Sequence, residues 1–207
     1  MRSRSQQTRC FALLQRPIEA RKPLFIAAVR VLAEDNRVTT CYIALGSNLG
    51  DRAANLAAAV DRLRATPELR VTKISSYLEN PAVGGPTDSP SFLNAVVEIE
   101  TTLPPRALLE RLLEIERELG RVRREKWGPR VIDLDVLLYG DQVIDEPDLK
   151  IPHPLMHQRE FVLRPLAEIA PGVMHPVMRK TVRELLEALN RFAPVPSLQP
   201  ANLPVPT

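Results

Sequence analysis

RVIDLDVLLYG, residues 130–140, alternates in a way that sets both its conformation and its two faces. Side chains of an extended strand point to opposite faces in turn. Ile132, Leu134 and Val136 then share one face, suited to packing on helices, and Asp133 and Asp135 share the other. The pattern predicts a strand over Ile132–Tyr139. Two parallel carboxylates repel each other unless a cation sits between them. A hard divalent ion with oxygen ligands meets that need, and Mg²⁺ commonly joins one or two carboxylates to substrate phosphates. Taken alone, an Asp-x-Asp pair also suits a solvated strand face, and glycosyltransferases and nucleotidyltransferases carry such pairs.

Immediately upstream lies GRVRREKWGPR, residues 120–130, with Arg121, Arg123, Arg124, Lys126 and Arg130 against the single acid Glu125. Five cations beside two metal-type carboxylates match a triphosphate, whose charge is shared between metals and basic side chains. Arginine adds planar, bidentate recognition of phosphate. Trp127-Gly128-Pro129 gives this loop a shaped turn and an aromatic anchor, as a lid that excludes water requires. No G-x-x-x-x-G-K-[ST] run occurs, so the chain is not a P-loop kinase.

Working outward, Pro104 and Pro105 suit a helix start, Leu108, Leu112, Ile115 and Leu119 form its apolar stripe, and Gly120 stops it. Cys41–Leu45 reads as a strand ending at Gly46. Asp51 can cap a helix carrying Leu56, Val60 and Leu63. Val71–Leu78 and Phe92–Ile99 read as strands. The intervening Asn80–Pro90 holds three prolines and two glycines and reads as a loop. A hairpin or loop follows through Ile151, then helices near Leu163–Ala170 and Thr181–Leu189. The order is β-α-β-β-α-β, an α+β, ferredoxin-like arrangement with a mainly antiparallel sheet and helices on one face.

The 207 residues have a net charge of +3, but residues 1–40 hold eight Lys/Arg and three Asp/Glu, leaving the body at −2. A basic polyanion-binding surface is therefore not indicated. Residues 1–40 read as a basic extension, disordered or non-native, with a transit peptide and an over-long start as alternatives. Residues 41–192 form the folded domain, and 193–207 a proline-rich tail. Two cysteines without metal spacing indicate a reducing, cytoplasmic setting. No stretch has the roughly 18 apolar residues of a membrane span.

Three further segments carry candidates. In ALGSNLGD, residues 44–51, Gly46 and Gly50 allow close backbone approach and Asn48 can bond a ligand or its own turn. In PSFLNAVVEIE, Phe92 and Asn94 lie two apart on one strand face, which suits either an aromatic plus an amide for a flat heteroaromatic ring or simply a core Phe and an edge Asn. IPHPLMHQREF supplies His153, His157, Arg159 and Phe161, and its prolines make a helical histidine metal pair implausible.

Together these segments, in this order and spacing, resemble the 6-hydroxymethyl-7,8-dihydropterin pyrophosphokinase family from about Tyr42 to Ala170. GRVRREKWGPRVIDLDVLLYG is the most specific part. The resemblance implies transfer of the β,γ-diphosphate of ATP to the pterin hydroxymethyl group, with AMP released, as a step of folate synthesis. It implies two Mg²⁺ ions on Asp133 and Asp135, and Arg121, Arg123 and Arg130 as catalytic-loop residues. Glu116, Lys126, Trp127, His153 and Arg159 join Arg123 and Arg130 as the ATP side. Phe92 and Phe161 sandwich the pterin, Asn94 bonds its edge, and backbone groups near Asn80 and Val83 complete the slot. A monomer without nucleic-acid or membrane partners is expected. The chain departs from the family in Lys126, where Arg is also common, in Pro154, which removes an aromatic or hydroxyl contact, and in Phe92, which has no phenol hydroxyl. The alternatives are a ferredoxin-like RNA-binding module, which needs an aromatic strand pattern that is missing here, and a nucleotidyltransferase, which releases pyrophosphate.

Overall fold

A computed structural model describes residues 37–81, 90–121 and 130–192. Strand β1 (Thr39–Ser47) is central, and it begins two residues inside the stretch assigned above to the extension. Helix α1 (Arg52–Arg64) follows, its first turn capped by Asp51, whose carboxylate accepts the Ala54 N–H at 3.0 Å. Next come β2 (Leu69–Ile74), β3 (Leu78–Asn80) and β4 (Phe92–Thr101). Helix α2 (Pro105–Glu118) leads to β5 (Asp133–Tyr139).

The sheet runs β2-β4-β1-β5, with every pairing antiparallel, and β3 continues the β2 edge along β4. This is the expected ferredoxin-like order. The expected single strand Val71–Leu78 is two pieces. At the break, Ser75 turns its hydroxyl to accept the Val96 N–H at 2.9 Å, and Ser76 bonds Glu168 instead of β4.

One sheet face carries Cys41, Ile43, Leu45, Leu93, Ala95, Val97, Ile99, Leu134 and Val136 and packs on α1 and α2 through Leu56, Val60, Leu63, Leu108, Leu112 and Ile115. Each of these helix side chains is at most 3% exposed. Such burial contributes about 1.5–3 kcal/mol per side chain. Ile132, Leu134 and Val136 lie on this face, as the alternation predicts.

Helices cover both faces, however, and the expectation of one covered face is corrected. After the hairpin β6 (Ile144–Asp145) and β7 (Lys150–Ile151), helix α3 (Glu160–Ile169), hairpin β8 (Met174–His175) and β9 (Lys180–Thr181), and helix α4 (Val182–Phe192) complete the chain. Val162, Leu163, Leu166, Val182 and Leu185 close over Tyr42, Val96, Leu137 and Leu138 on the second face. The apolar side chains of that face require cover; the two aspartates occupy only one end of it.

Polar bonds fix α3 in place. Glu168 accepts from the Ser76 N–H and hydroxyl at 3.0 and 2.7 Å. Lys73 Nζ donates to the Ile169 carbonyl and to the buried Glu98. With its C-terminal end tied to the sheet, α3 delivers Arg159 and Phe161 from its N-terminal end.

Candidate active site

Directly paired residues of antiparallel strands project on the same face. Asn80 pairs with Phe92. Leu78 pairs with Asn94, Asn94 with Gly46, and Gly46 with Asp133. One step further along, Val96 pairs with Ala44 and Ala44 with Asp135. Asn94 and Asp133 therefore stand in one row across three strands, about 10 Å apart by strand spacing. Gly46 is the floor between them. A Cβ there would lie 3.3 Å from Asn94 Oδ1 and 3.7 Å from Phe92 Cδ1. The glycine keeps the space between the amide and the carboxylates open.

Helix α2 ends in a way that delivers the first arginine. Gly120 has φ +88°, its N–H donates to the Arg117 carbonyl, and the Arg121 N–H donates to the Glu116 carbonyl. This paired turn folds Arg121 back over the last helical turn. Its guanidinium pairs with Glu116 and stands 2.6 Å from Asp133 Oδ1. Arg130 pairs with the other Asp133 oxygen. Glu116 is 2% exposed and also accepts the Leu134 N–H at 2.7 Å. Burial pushes the Glu116 carboxyl up, against the pull of the Leu134 N–H and Arg121.

Asp135 is treated differently. Burial, then the neighbouring Asp133 charge, pushes its carboxyl up to about 6, with Arg159, Arg121 and Arg130 opposing. Among the described residues it has no ion-pair partner at bonding distance. The described residues offer no group of three or more His, Cys, Asp or Glu able to hold a metal. A cation at Asp133 and Asp135 would thus take its remaining oxygens from water and ligand, which fits Mg²⁺ with phosphate. The half-buried, mutually repelling carboxylates fit such an ion, in competition with the arginines already on Asp133.

His153 adjoins this pair. Its N–H donates to the Leu137 carbonyl of β5, and its Nδ1 accepts the Leu155 N–H at 3.2 Å. That bond places the imidazole proton on Nε2. Burial, then Arg159, pushes the His153 pKa down to about 4. The Arg159 guanidinium lies over the Phe161 ring, 5.7 Å from its centre. At the other end of the row, Asn94 Nδ2 donates to Asn80 Oδ1, and Asn80 Nδ2 donates to the Pro81 carbonyl at 2.7 Å. Arg52 donates to the Ser91 carbonyl and to Glu79, bracing this strip from α1.

The structure thus gathers Glu116, Arg121, Arg130, Asp133 and Asp135 into one cluster, brings the charges of Arg159 to bear on Asp135 and His153, and lines Asn80, Phe92 and Asn94 along one edge. Phe161 lies in the first turn of α3, partly buried against the second core. Val83, Arg123, Lys126 and Trp127 lie outside the described residues. Glu116, expected on the ATP side, has its carboxylate turned to Leu134 and Arg121. The row through Gly46 and the three-way bonding of Asn48 were not predicted. Their signal was in ALGSNLGD, but strand register was needed to read it.

The sequence profile of the 7,8-dihydro-6-hydroxymethylpterin-pyrophosphokinase (HPPK) family matches residues 42–171. A 2-amino-4-hydroxy-6-hydroxymethyldihydropteridine pyrophosphokinase from Methylorubrum extorquens is 53% identical over 154 residues, covering 74% of this chain and 95% of that protein. One of the same description from Aquifex aeolicus is 42% identical over 163 residues, covering 79% and 96%. The fold is similar to the crystal structure of Plasmodium falciparum HPPK-DHPS with pteroate, at a TM-score of 0.60 and 15% identity over 76% of this chain. This chain spans 45% of that longer one.

Proposed function

Because the chain belongs to the 7,8-dihydro-6-hydroxymethylpterin-pyrophosphokinase family, we propose that it transfers the β,γ-diphosphate of ATP to the hydroxymethyl group of 6-hydroxymethyl-7,8-dihydropterin, a step of folate synthesis. The observation that supports this reading is the row Asn94–Gly46–Asp133, which puts an amide suited to a pterin edge on the same sheet face as the acid–arginine cluster. The pterin hydroxyl oxygen bonds to the β-phosphorus, the bond from that phosphorus to the oxygen bridging to the α-phosphate breaks, and AMP leaves with that oxygen while the hydroxyl proton is released. No protein nucleophile takes part.

Asp133 and Asp135 would hold two Mg²⁺ ions, which would supply charge neutralisation for the phosphate oxygens. Arg121 and Arg130 orient phosphates beside them. Glu116 acts through Arg121, holding it against Asp133. The Nε2–H of His153 and the Arg159 guanidinium bind the triphosphate. Phe92 and Phe161 hold the ring and Asn94 its edge, with Asn80 fixing the Asn94 amide. Val83, Arg123, Lys126 and Trp127 complete the two substrate sites. The contribution to rate is positioning and preorganised charge. The working form in this reading is a cytoplasmic monomer. Among the described residues no helix is long and apolar enough to cross a membrane.

Incubating the protein with Mg·ATP and the hydroxymethyl pterin tests the reading. AMP and pterin diphosphate in equal amounts are expected. Release of pyrophosphate would instead place the chain with nucleotidyltransferases.

A further inference from the structure

The turn after β1 holds one buried amide that touches both halves of the site. Asn48 is 3% exposed. Its Oδ1 accepts the Arg130 N–H at 2.7 Å, and its own N–H donates to the Arg130 carbonyl at 3.1 Å. Its Nδ2 donates to the Pro90 carbonyl at 3.4 Å. Arg130 reaches Asp133 with its guanidinium. Pro90 stands two residues before Phe92, where β4 and the pterin-facing strip begin.

The turn itself is held from α1. Asn55 Nδ2 donates to the Leu49 carbonyl at 2.8 Å and to Ser47 Oγ at 3.1 Å. Asn48 therefore projects from a braced backbone. Its two-sided grip on Arg130 limits where that guanidinium can point, because a side chain searches its rotamers only from the backbone position it is given. The longer Pro90 bond makes the weaker arm.

Building on the pyrophosphokinase reading, we propose that Asn48 is a positioning residue that registers the two substrate halves. It sets Arg130 on Asp133 through one arm and the start of the pterin strip through the other.

The test compares Asn48→Ala and Asn48→Asp with the unaltered protein, measuring kcat, the KM of each substrate, and Tm. The backbone bond from Asn48 to Arg130 survives in both variants. Asn48→Ala loses both side-chain arms. Its kcat is expected to fall about tenfold and both KM values to rise, the scale of a lost buried hydrogen bond. Asn48→Asp keeps an acceptor for the Arg130 N–H and loses the donor to Pro90. Its KM for ATP is expected to stay within about threefold while its KM for the pterin rises about tenfold. Equal shifts of both KM values in Asn48→Asp would overturn the two-arm assignment, even if Asn48→Ala does not fold. So would an Asn48→Ala protein with kcat and both KM values unchanged. Absence of AMP release from the unaltered protein would remove the pyrophosphokinase reading and the proposal with it, whereas normal release with unsplit KM values would remove the proposal alone.

Discussion

Arg121 Nη1 stands 2.6 Å from Asp133 Oδ1 and pairs at the same time with the buried Glu116. With Arg130 on the other oxygen, Asp133 has its charge answered on both sides. Asp135, one turn of the pleat away on the same face, has its carboxyl pushed up by burial and by Asp133. The two acids are chemically alike but not in equivalent surroundings. The site's unmet demand for positive charge is concentrated at Asp135.

The Glu116 contact can be separated from the fold. Glu116→Gln keeps an oxygen for the Leu134 N–H but loses the charge that holds Arg121. Its stability should stay within about 1 kcal/mol while kcat/KM for ATP falls about tenfold or more. Glu116→Ala leaves a buried N–H without a partner and should cost about 1–3 kcal/mol as well. Urea melts and steady-state kinetics read the two effects. Unchanged kinetics in Glu116→Gln would count against a role through Arg121.

The raised Asp135 carboxyl has a sign in stability. The folded chain binds its proton more tightly than the unfolded chain, so stability falls as pH rises from about 4 to about 6. Asp135→Asn removes that penalty. Without divalent ions at pH 7, its Tm should exceed that of the unaltered protein by roughly 5–10 °C. The gap should close near pH 4, and Mg²⁺ should stabilise only the unaltered protein. Thermal melts across pH check this, and a lower Tm for the asparagine variant would contradict it.

His153 is held neutral, with its pKa pushed down to about 4 by burial and Arg159. The neutral form is the folded one, so this contribution is present above the ordinary histidine pKa and is lost as pH falls from about 6.5 to about 4. An NMR titration should show an Nε2-protonated imidazole with no inflection between pH 6 and 8. Activity should show no limb from this residue in that range. An inflection near 6.5 would contradict the assignment.

Gly46→Ala places a methyl group 3.3 Å from Asn94 Oδ1. The KM for the pterin should rise about tenfold or more while nucleotide binding, followed by calorimetry, stays within about threefold. Equal loss of both ligands would show that the strand had moved instead.

Much of the fold and of the acid pair is legible in the amino-acid sequence alone. The alternation around Asp133 and Asp135 implies their shared face, and Asp51 and Gly120 mark helix ends that the backbone reproduces. Local pattern carries these because each depends on neighbours in sequence. The cover of the second face is not legible, since Tyr42, Val96 and Leu138 come from three strands and share a face only once paired. The break at Ser75 is hidden for a similar reason: it depends on Glu168, 92 residues from Ser76. Gly46 and Asn48 look like ordinary turn residues until register puts one beside Asn94 and the other against Arg130.

AMP release by Asp135→Ala is the most direct measurement of the central claim, that two acids on one strand face hold the cation needed for diphosphate transfer. Mixed with Mg·ATP and the hydroxymethyl pterin, this variant should keep the circular dichroism of the fold and lose turnover by about a thousandfold or more. Near-normal AMP release from the folded variant would contradict the account.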